Sequence, residues 1–196
     1  MNVIIDTGCA NISSLKFAVE RITDDVLVSE NPGVIKDATR VFLPGVGSAG
    51  YAMDELEKRG LVPVIQSLTQ PVLGICLGMQ LLMTHSSEGD RECLGLIPGQ
   101  VSELEAEGLR LPHMGWNTLI ETQDHPLFKG IPDNEYFYFV HSFAVESGEY
   151  TLSGCDYGNR FSAAVGSDNF YGVQFHPERS GPMGSRILKN FLEMSS

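Results

Sequence analysis

Cys76 is the residue whose surroundings point most directly to chemistry. It lies within Gly74-Ile75-Cys76-Leu77-Gly78, between an apolar run that predicts a strand and a run that predicts a helix. Glycines on both sides allow a sharp turn that exposes a nucleophile above the sheet edge, as in the G-x-S-x-G elbow. The N–H of Leu77 is then a natural donor to an oxyanion. The segment predicts a nucleophilic cysteine; a small buried hydrophobic residue is the alternative.

A catalytic cysteine needs a partner, because the thiolate is the reactive form and a free cysteine is mostly protonated at neutral pH. His176 follows the apolar run from Tyr171 to Gln174, which predicts a strand ending at the sheet edge. Glu178 is placed to accept the Nδ1–H of His176, which leaves Nε2 for the thiol. His141, after the run from Tyr136 to Val140, is a second candidate base, and an ordinary surface turn is the alternative for the His176 segment.

Pro44-Gly45-Val46-Gly47 is a third segment of interest, at the end of another apolar run. A glycine-bearing turn in that position directs backbone N–H groups into the crevice where the strands of such a sheet end. Taken alone, the segment is better explained by an ordinary strand-to-helix turn.

These segments require elements to position them, and the first half of the chain supplies an alternation of strand-sized runs and helical patterns. Such alternation predicts an α/β fold with a mostly parallel central sheet and helices on both faces. Strands are predicted at Val3 to Ile5, Val26 to Val28, Val41 to Leu43 and Val72 to Ile75, and helices at Leu15 to Ile22, Tyr51 to Lys58, Val62 to Leu68 and Leu77 to Met83.

Beyond Glu88, prolines separate short runs that predict partly antiparallel strands, which makes the sheet mixed. These strands are predicted at Trp116 to Ile120, Tyr136 to Val140, Ala163 to Val165 and Tyr171 to Phe175, with a last helix from Pro182 to Met194. No linker or repeat interrupts the chain, so residues 1–196 are predicted to form one domain.

Composition narrows the possible partners and compartments. The 196 residues are 42% hydrophobic and 19% charged, which is typical of a globular domain. A net charge of −12 without a basic run argues against nucleic acid and anionic membrane as partners. Residues 1 to 20 lack the pattern of a signal peptide, so a cytoplasmic location is expected.

Cysteine and histidine usage argues against disulfides and metals. Without a secretory signal, the four cysteines, Cys9, Cys76, Cys93 and Cys155, are expected to be free thiols. No C-x-x-C or H-x-x-x-H pair is present, and the five histidines are dispersed, so neither a metal nor a cofactor is expected.

Together, the three segments resemble the signatures of class I, triad-type glutamine amidotransferases. The resemblance to this family covers the chain from end to end. The Pro44 to Gly47 segment resembles the oxyanion loop, Gly74 to Gln80 the nucleophile elbow, and Gly172 to Glu178 the histidine and glutamate segment. The resemblance implies that Cys76 attacks the γ-amide of glutamine, His176 transfers protons and Glu178 orients His176. Water then hydrolyses the γ-glutamyl thioester to glutamate.

The same resemblance assigns substrate contacts. Gln80 and the pair His141-Ser142 are similar to positions that hold the amino-acid head of glutamine, and Gly47 to a position that adds an oxyanion donor. Phe143 stands where relatives often have tyrosine, which leaves a contact through its backbone.

Within the family, three further segments are similar to the glutaminases of histidine biosynthesis: Asp6 to Asn11, Pro112 to Asn117 and Tyr136 to Ser142. The similarity implies that ammonia passes to a separate, barrel-shaped cyclase subunit in a heterodimer. The chain has no phosphate-binding G-x-x-x-x-G-K-[ST] loop and few cations, so a partner must hold a bisphosphorylated substrate. Trp116, with Met114, Asn117 and Tyr136, is predicted to contact that partner, with core packing as the alternative for Trp116.

Three alternatives remain open from the sequence. The chain could be the glutaminase of another synthase, such as those making anthranilate, guanylate or pyridoxal phosphate. It could be a free-standing cysteine-dependent hydrolase of γ-glutamyl peptides. From a different class, it could be a non-catalytic binding or stress protein that retains the elbow cysteine.

Overall fold

The central sheet is built from the short apolar runs of the first half, joined by helices. The computed structural model describes residues 1–8 and 11–194, and the bounds below refer to them. The helices are α1 (Ile12–Glu20), α2 (Pro32–Lys36), α3 (Ala49–Lys58), α4 (Val62–Gln66), α5 (Leu77–Leu81) and α6 (Gly181–Glu193), with 3-10 turns at Pro126–Phe128 and Pro177–Arg179.

The strands fall into a larger and a smaller sheet. They are β1 (Asn2–Ile5), β2 (Val26–Ser29), β3 (Arg40–Gly45), β4 (Val72–Cys76), β5 (His85–Ser86), β6 (Arg91–Glu92), β7 (Gln100–Glu103), β8 (His113–Thr118), β9 (Tyr136–His141), β10 (Phe143–Val145), β11 (Thr151–Tyr157), β12 (Asn159–Ser167) and β13 (Phe170–Val173). The larger sheet runs β2-β1-β3-β4-β13-β12-β10-β7-β5-β6, with β11 paired to β12; β8 and β9 form the smaller one.

The larger sheet is parallel where the site lies and mostly antiparallel beyond it, where only β5 and β7 pair in parallel among the described strands. Strands β2, β1, β3, β4 and β13 run parallel, whereas β12 pairs antiparallel with β13, β11 and β10. The predicted mixed, mostly parallel α/β sheet is therefore confirmed for its core. Because β4 lies between β3 and β13, the loops that follow these three strands meet at one edge.

Helices cover both faces of this sheet. Successive side chains of a strand point to opposite faces, so apolar residues on both faces must be covered. Val3 and Ile5 pack against α2, α3, α4 and α5 on one face. Ile4, one residue between them, packs with α1 and α6 on the other. Burial of these strands on both faces explains why their sequences are continuously apolar rather than alternating.

The predicted elements are present, with shifted ends. The predicted strand Trp116 to Ile120 begins earlier and ends at Thr118, and the helix predicted to reach Met83 ends at Leu81. Ile22 lies beyond the end of α1, which stops at Glu20. Sequence analysis did not predict α2, because Pro32-Gly33 weakens the helical pattern; Asn31 caps it by accepting from the N–H groups of Gly33 and Val34.

The smaller sheet is hydrogen-bonded to the segment that contains His176 and Ser180. Tyr138 in β9 accepts a hydrogen bond from the N–H of His176 (2.9 Å). Its own N–H donates to the Oγ of Ser180 (3.0 Å), and that hydroxyl donates to the carbonyl of His176 (2.7 Å). The β8-β9 sheet is therefore fixed to the segment that carries the candidate base. Among the described residues no helix is long and apolar enough to cross a membrane.

Candidate active site

Cys76 occupies the elbow between β4 and α5. Its backbone has φ 54° and ψ −113°, a conformation that a residue with a side chain rarely adopts. Strain of this kind persists only where the surrounding structure imposes it, and it is frequent at functional sites. The turn places the side chain at the carboxyl edge of the sheet, as the sequence predicts.

Gly78 lets α5 pack directly against β3. A Cβ atom at this position would lie 1.8 Å from the carbonyl oxygen of Leu43, well inside van der Waals contact. The contact holds the first turn of α5 beside the loop that follows β3. Because Gly45 is in register with Cys76, the Pro44 to Gly47 segment lies directly next to Cys76.

His176 and Glu178 form an ion pair next to the elbow. His176 Nδ1 lies 2.8 Å from Glu178 Oε1, and both side chains are 9% exposed. Burial lowers the pKa of His176, but hydrogen bonding and charge from Cys76 and Glu178 outweigh it and raise the pKa to about 10. The histidine is therefore protonated at neutral pH and places a positive charge beside the Cys76 sulfur.

The Nε2 atom of His176 remains available for chemistry. It is buried and has no hydrogen-bond partner of ordinary geometry among the described residues, yet it faces the Cys76 sulfur closely enough for hydrogen bonding and charge from that sulfur to raise the pKa of the ring. With Nδ1 held by Glu178, Nε2 is the ring atom that can deliver a proton to a leaving group.

A cavity of about 380 Å³ opens at this edge. Cys76, His176 and Glu178 line it together with all six residues predicted for the oxyanion and substrate, namely Gly47, Leu77, Gln80, His141, Ser142 and Phe143. Gly47 has a φ of 92°, which glycine adopts without strain, so the loop after β3 can turn towards the cavity.

Two of these residues are engaged with the protein itself. Gln80 Nε2 donates both to the carbonyl of Phe143 (2.8 Å) and to Gln174 Oε1 (2.8 Å). The Nδ1 of His141 lies 2.9 Å from the same carbonyl, and its Nε2 lies 2.9 Å from Nδ1 of His113. His141 thus has no free ring nitrogen for a ligand or for service as a base, and it supports the cavity wall instead.

Sequence reasoning missed Glu88, Arg179 and Gln174. Glu88 and Arg179 both line the cavity, and Glu88 Oε2 also accepts from the N–H of Ala49 at the start of α3 (2.8 Å). Gln174 is fully buried beneath Cys76. The strand before Glu88 has only two residues, which is too short to show a strand pattern in the sequence. The only sequence signal for Gln174 is that it is a polar residue within an apolar run.

The residues predicted for a partner lie outside the cavity, on the β8-β9 sheet. Trp116, Met114 and Tyr136 are 55%, 62% and 56% exposed, which excludes the core alternative for Trp116. Along β9, buried Phe137 and Phe139 alternate with the more exposed Tyr136 and Tyr138, as predicted for a strand. Asn117 differs, because its amide points inward and donates to the carbonyl of Asp156 (2.9 Å).

The remaining described cysteines are poor nucleophiles. Burial raises the pKa of Cys93 to about 11 and that of Cys155 to about 12. Cys76, Cys93 and Cys155 are free thiols, and Cys9 lies outside the described residues. No group of three or more metal-ligating side chains converges within residues 1–8 and 11–194.

Comparison with solved structures supports the fold. A structure described as a glutamine amidotransferase superposes with a TM-score of 0.76 at 16% identity, over 97% of both chains. A glutamine amidotransferase from Thermotoga maritima superposes with a TM-score of 0.67 at 16% identity, over 98% of this chain and 82% of the other. At such low identity the likeness shows the architecture alone.

Sequence comparison defines the family. The chain is 58% identical to the imidazole glycerol phosphate synthase subunit HisH of Shewanella sediminis, over 98% of this chain and 90% of that protein. It is 52% identical to the subunit of the same name from Colwellia psychrerythraea, over 100% of this chain and 93% of the other. The model of class-I glutamine amidotransferases matches residues 4–194, and the chain therefore belongs to that family.

Proposed function

We propose that this chain is the glutaminase subunit of an imidazole glycerol phosphate synthase in histidine biosynthesis. One observation carries the proposal: a strained elbow cysteine and a buried histidine-glutamate ion pair line one cavity in a chain with full-length HisH relatives. The reaction is hydrolysis of glutamine to glutamate and ammonia. Residues 1–196 would act as one domain, in the cytoplasm with the other biosynthetic enzymes.

Charge distribution supports a thioester route through Cys76, His176 and Glu178. The thiolate attacks the γ-carbon of glutamine, and the Nε2–H of His176 protonates the nitrogen as the C–N bond breaks and ammonia leaves. Neutral His176 then takes a proton from water, whose oxygen attacks the thioester and expels the sulfur as thiolate. Glu178 holds the ring and stabilises its charged form throughout.

Oxyanion stabilisation falls to the two backbone segments beside the sulfur. The N–H of Leu77 opens α5, and the Gly47 loop enters the same cavity from β3. Donors from two rigid segments stabilise the negative charge that develops on the carbonyl oxygen during attack.

The opposite wall suits an amino-acid head. Ser142 and Phe143 line the cavity there, although the Phe143 carbonyl is already bonded to Gln80 and His141. The side-chain carbonyl oxygen of Gln80 is left for a ligand because its NH₂ group donates to the protein. Glu88 in the lining supplies a carboxylate for the α-ammonium, and Arg179 in the lining supplies a cation for the α-carboxylate. Selection of glutamine over simple amides follows from this pairing of charges.

Glutamate release from glutamine is the direct test of the function. We expect the chain alone to be nearly inactive and to be strongly activated by the cyclase subunit with its bisphosphorylated ribulosyl ligand. Activation only by another synthase partner would assign the chain to that synthase. Full activity without any partner would indicate a free-standing hydrolase, and a Cys76 thiol of ordinary reactivity without activity would revive the non-enzymatic alternative.

The exposed part of the β8-β9 sheet is the proposed contact with the barrel-shaped cyclase. Trp116, Met114 and Tyr136 form an apolar face, which water solvates poorly. Arg179 lies 4.9 Å above the ring of Tyr138, so the face adjoins the cavity that it would serve. Ammonia released at Cys76 would then leave towards the partner and not into bulk water.

Trp116→Ala is expected to weaken association of the two subunits. A buried tryptophan at the centre of an interface contributes about 2 kcal/mol or more, which is about thirtyfold in the dissociation constant. Titration calorimetry measures this directly. Leu27→Ala is a matched control, since Leu27 is exposed (43%) on β2 at the far edge of the larger sheet. Equal affinities for both variants would remove Trp116 from the interface.

A further inference from the structure

Gln174 is a buried amide in direct contact with the nucleophile. Its Nε2 lies 3.7 Å from the Cys76 sulfur, within the range of a hydrogen bond to sulfur. Its Oε1 accepts from Nε2 of Gln80 at 2.8 Å. The side chain is fully buried and does not line the cavity, so it faces the sulfur from behind. Burial of a side-chain amide is unfavourable unless both its oxygen and its NH₂ group are hydrogen-bonded.

The carbonyl of Phe143 fixes which end of Gln174 faces the sulfur. A backbone carbonyl only accepts, so Gln80 must present its NH₂ group to that oxygen, at 2.8 Å. The same NH₂ group then donates to Gln174, which must present Oε1 in return. The NH₂ group of Gln174 is therefore directed at Cys76, and the reverse orientation would place two donors against each other.

The same carbonyl also anchors two buried histidines. His141 must donate from Nδ1 to it, so its Nε2 accepts from Nδ1 of His113, and Nε2 of His113 accepts from Asn117 (3.3 Å). Burial lowers the pKa of His113 to about 4 and that of His141 to about 3, so both rings are neutral, as this chain of bonds requires. One continuous chain thus joins strand β8 to the sulfur.

We propose that Gln174 is a positioning residue for the nucleophile: its N–H holds the Cys76 sulfur and favours the thiolate, with an orientation fixed through Gln80 by the Phe143 carbonyl. The carbonyl of Val140, 3.9 Å from the sulfur, is an acceptor and favours the protonated thiol. The N–H donor of Gln174 has the opposite effect to the Val140 carbonyl. The inference deepens the proposed function, since it rests on Cys76 as the nucleophile.

Alkylation of Cys76 by iodoacetamide tests the proposal without any turnover of glutamine. The thiolate displaces iodide to form a thioether, so the rate follows the thiolate fraction as pH is varied. The purified full chain is used, and Cys76→Ala gives the background from the other thiols. The titratable and charged groups around the sulfur, present in every variant, are His176, Glu178, His141, Glu88 and Arg179.

Gln174→Met keeps the volume and removes both the donor to sulfur and the acceptor for Gln80, whose NH₂ group keeps its bond to the Phe143 carbonyl. We expect its alkylation profile to move about one unit to higher pH, which makes alkylation below the midpoint about tenfold slower. Gln174→Glu keeps the acceptor for Gln80 and places an oxygen against the sulfur, so a larger shift is expected. In the glutaminase assay kcat falls for both variants, whereas KM changes less than about twofold because Gln174 is outside the cavity.

Gln70→Met is the matched control. Gln70 also donates from a partly buried amide, to the carbonyls of Ile35 (3.0 Å) and Lys36 (3.4 Å), but it precedes β4 at the end opposite Cys76. Its alkylation profile should equal that of the unchanged chain. If Gln174→Met does not fold, Gln174→Glu decides.

The two hypotheses fail in different ways. Active glutaminase with an unchanged alkylation profile in folded Gln174→Met and Gln174→Glu would overturn the positioning role and leave the function intact. A shifted profile in a chain that no partner activates would retain the positioning role and overturn the function.

Discussion

Cys76→Ala and His176→Ala are each expected to abolish glutamine-dependent synthesis by the assembled complex while leaving ammonia-dependent synthesis intact. Without the Cys76 thiolate no thioester forms. Without the His176 imidazole, no group stabilises the thiolate or protonates the departing nitrogen. Loss of either member of such a unit costs at least about 10⁴-fold in kcat. Because the residues act together, the double variant should be no worse than either single one. Supplying ammonium directly bypasses this site and uses only the partner.

The measurement is product formation by the complex with glutamine or with ammonium salt as nitrogen source. Cys93→Ala is the matched control, because it removes a half-buried thiol whose raised pKa makes it unreactive. Both activities should be unchanged in it. If Cys76→Ala and His176→Ala also lost the ammonia-dependent activity in a folded complex, these residues would serve assembly or cyclisation and not glutamine hydrolysis.

The placement of the proposed triad was predictable because its members are local in sequence. The glycines that allow the turn at Cys76 lie within two residues of it. Glu178, which orients His176, is two residues after it, so one short segment contains the 2.8 Å ion pair. The parallel core was predictable for a similar reason: strands buried on both faces must be continuously apolar. Adjacent strand ends then bring Cys76 and His176 together.

The support around the triad was not predictable, because its contacts join distant residues. Gln80 and Gln174 are 94 positions apart, and His113 and His141 are 28 apart. Their partners are backbone carbonyls and neutral ring nitrogens, which leave no periodic pattern. His141 shows the consequence: its position after a strand suggested a second base, but both of its ring nitrogens are committed to the protein.

The short strands were missed for want of a pattern. Strands β5 and β6 have two residues each, and their pairing with β7 and with each other is set by tertiary contacts. Glu88 follows β5 and reaches the cavity only through that pairing. An acidic residue in a polar stretch is indistinguishable in sequence from a solvated surface charge.

Gly78→Ala is expected to destabilise the elbow and sharply lower glutaminase activity, although it adds only one methyl group. The added Cβ would lie 1.8 Å from the oxygen and 2.8 Å from the carbon of the Leu43 carbonyl. These are backbone atoms of β3 and cannot rotate aside, so α5 and β3 must separate. Over-packing costs about 1–3 kcal/mol and occasionally more, and a clash with backbone lies at the upper end. We expect the free energy of unfolding to fall by about 3 kcal/mol.

Activity should fall further than stability alone explains, because the two displaced elements carry the proposed nucleophile and the proposed oxyanion loop. A displacement of about 1 Å at reacting groups costs about 100-fold in kcat. Urea unfolding gives the stability, and glutamate release by the partner-activated complex gives kcat for the folded fraction. Gly50→Ala in α3 is the matched control, since nothing lies within 4 Å of its added Cβ and alanine favours a helix by up to about 1 kcal/mol. Normal stability and kcat in Gly78→Ala would mean that close contact between α5 and β3 does not hold Cys76 in place. The strained backbone of Cys76 would then have to be imposed by other contacts of the elbow, such as the pairing of β4 with β13.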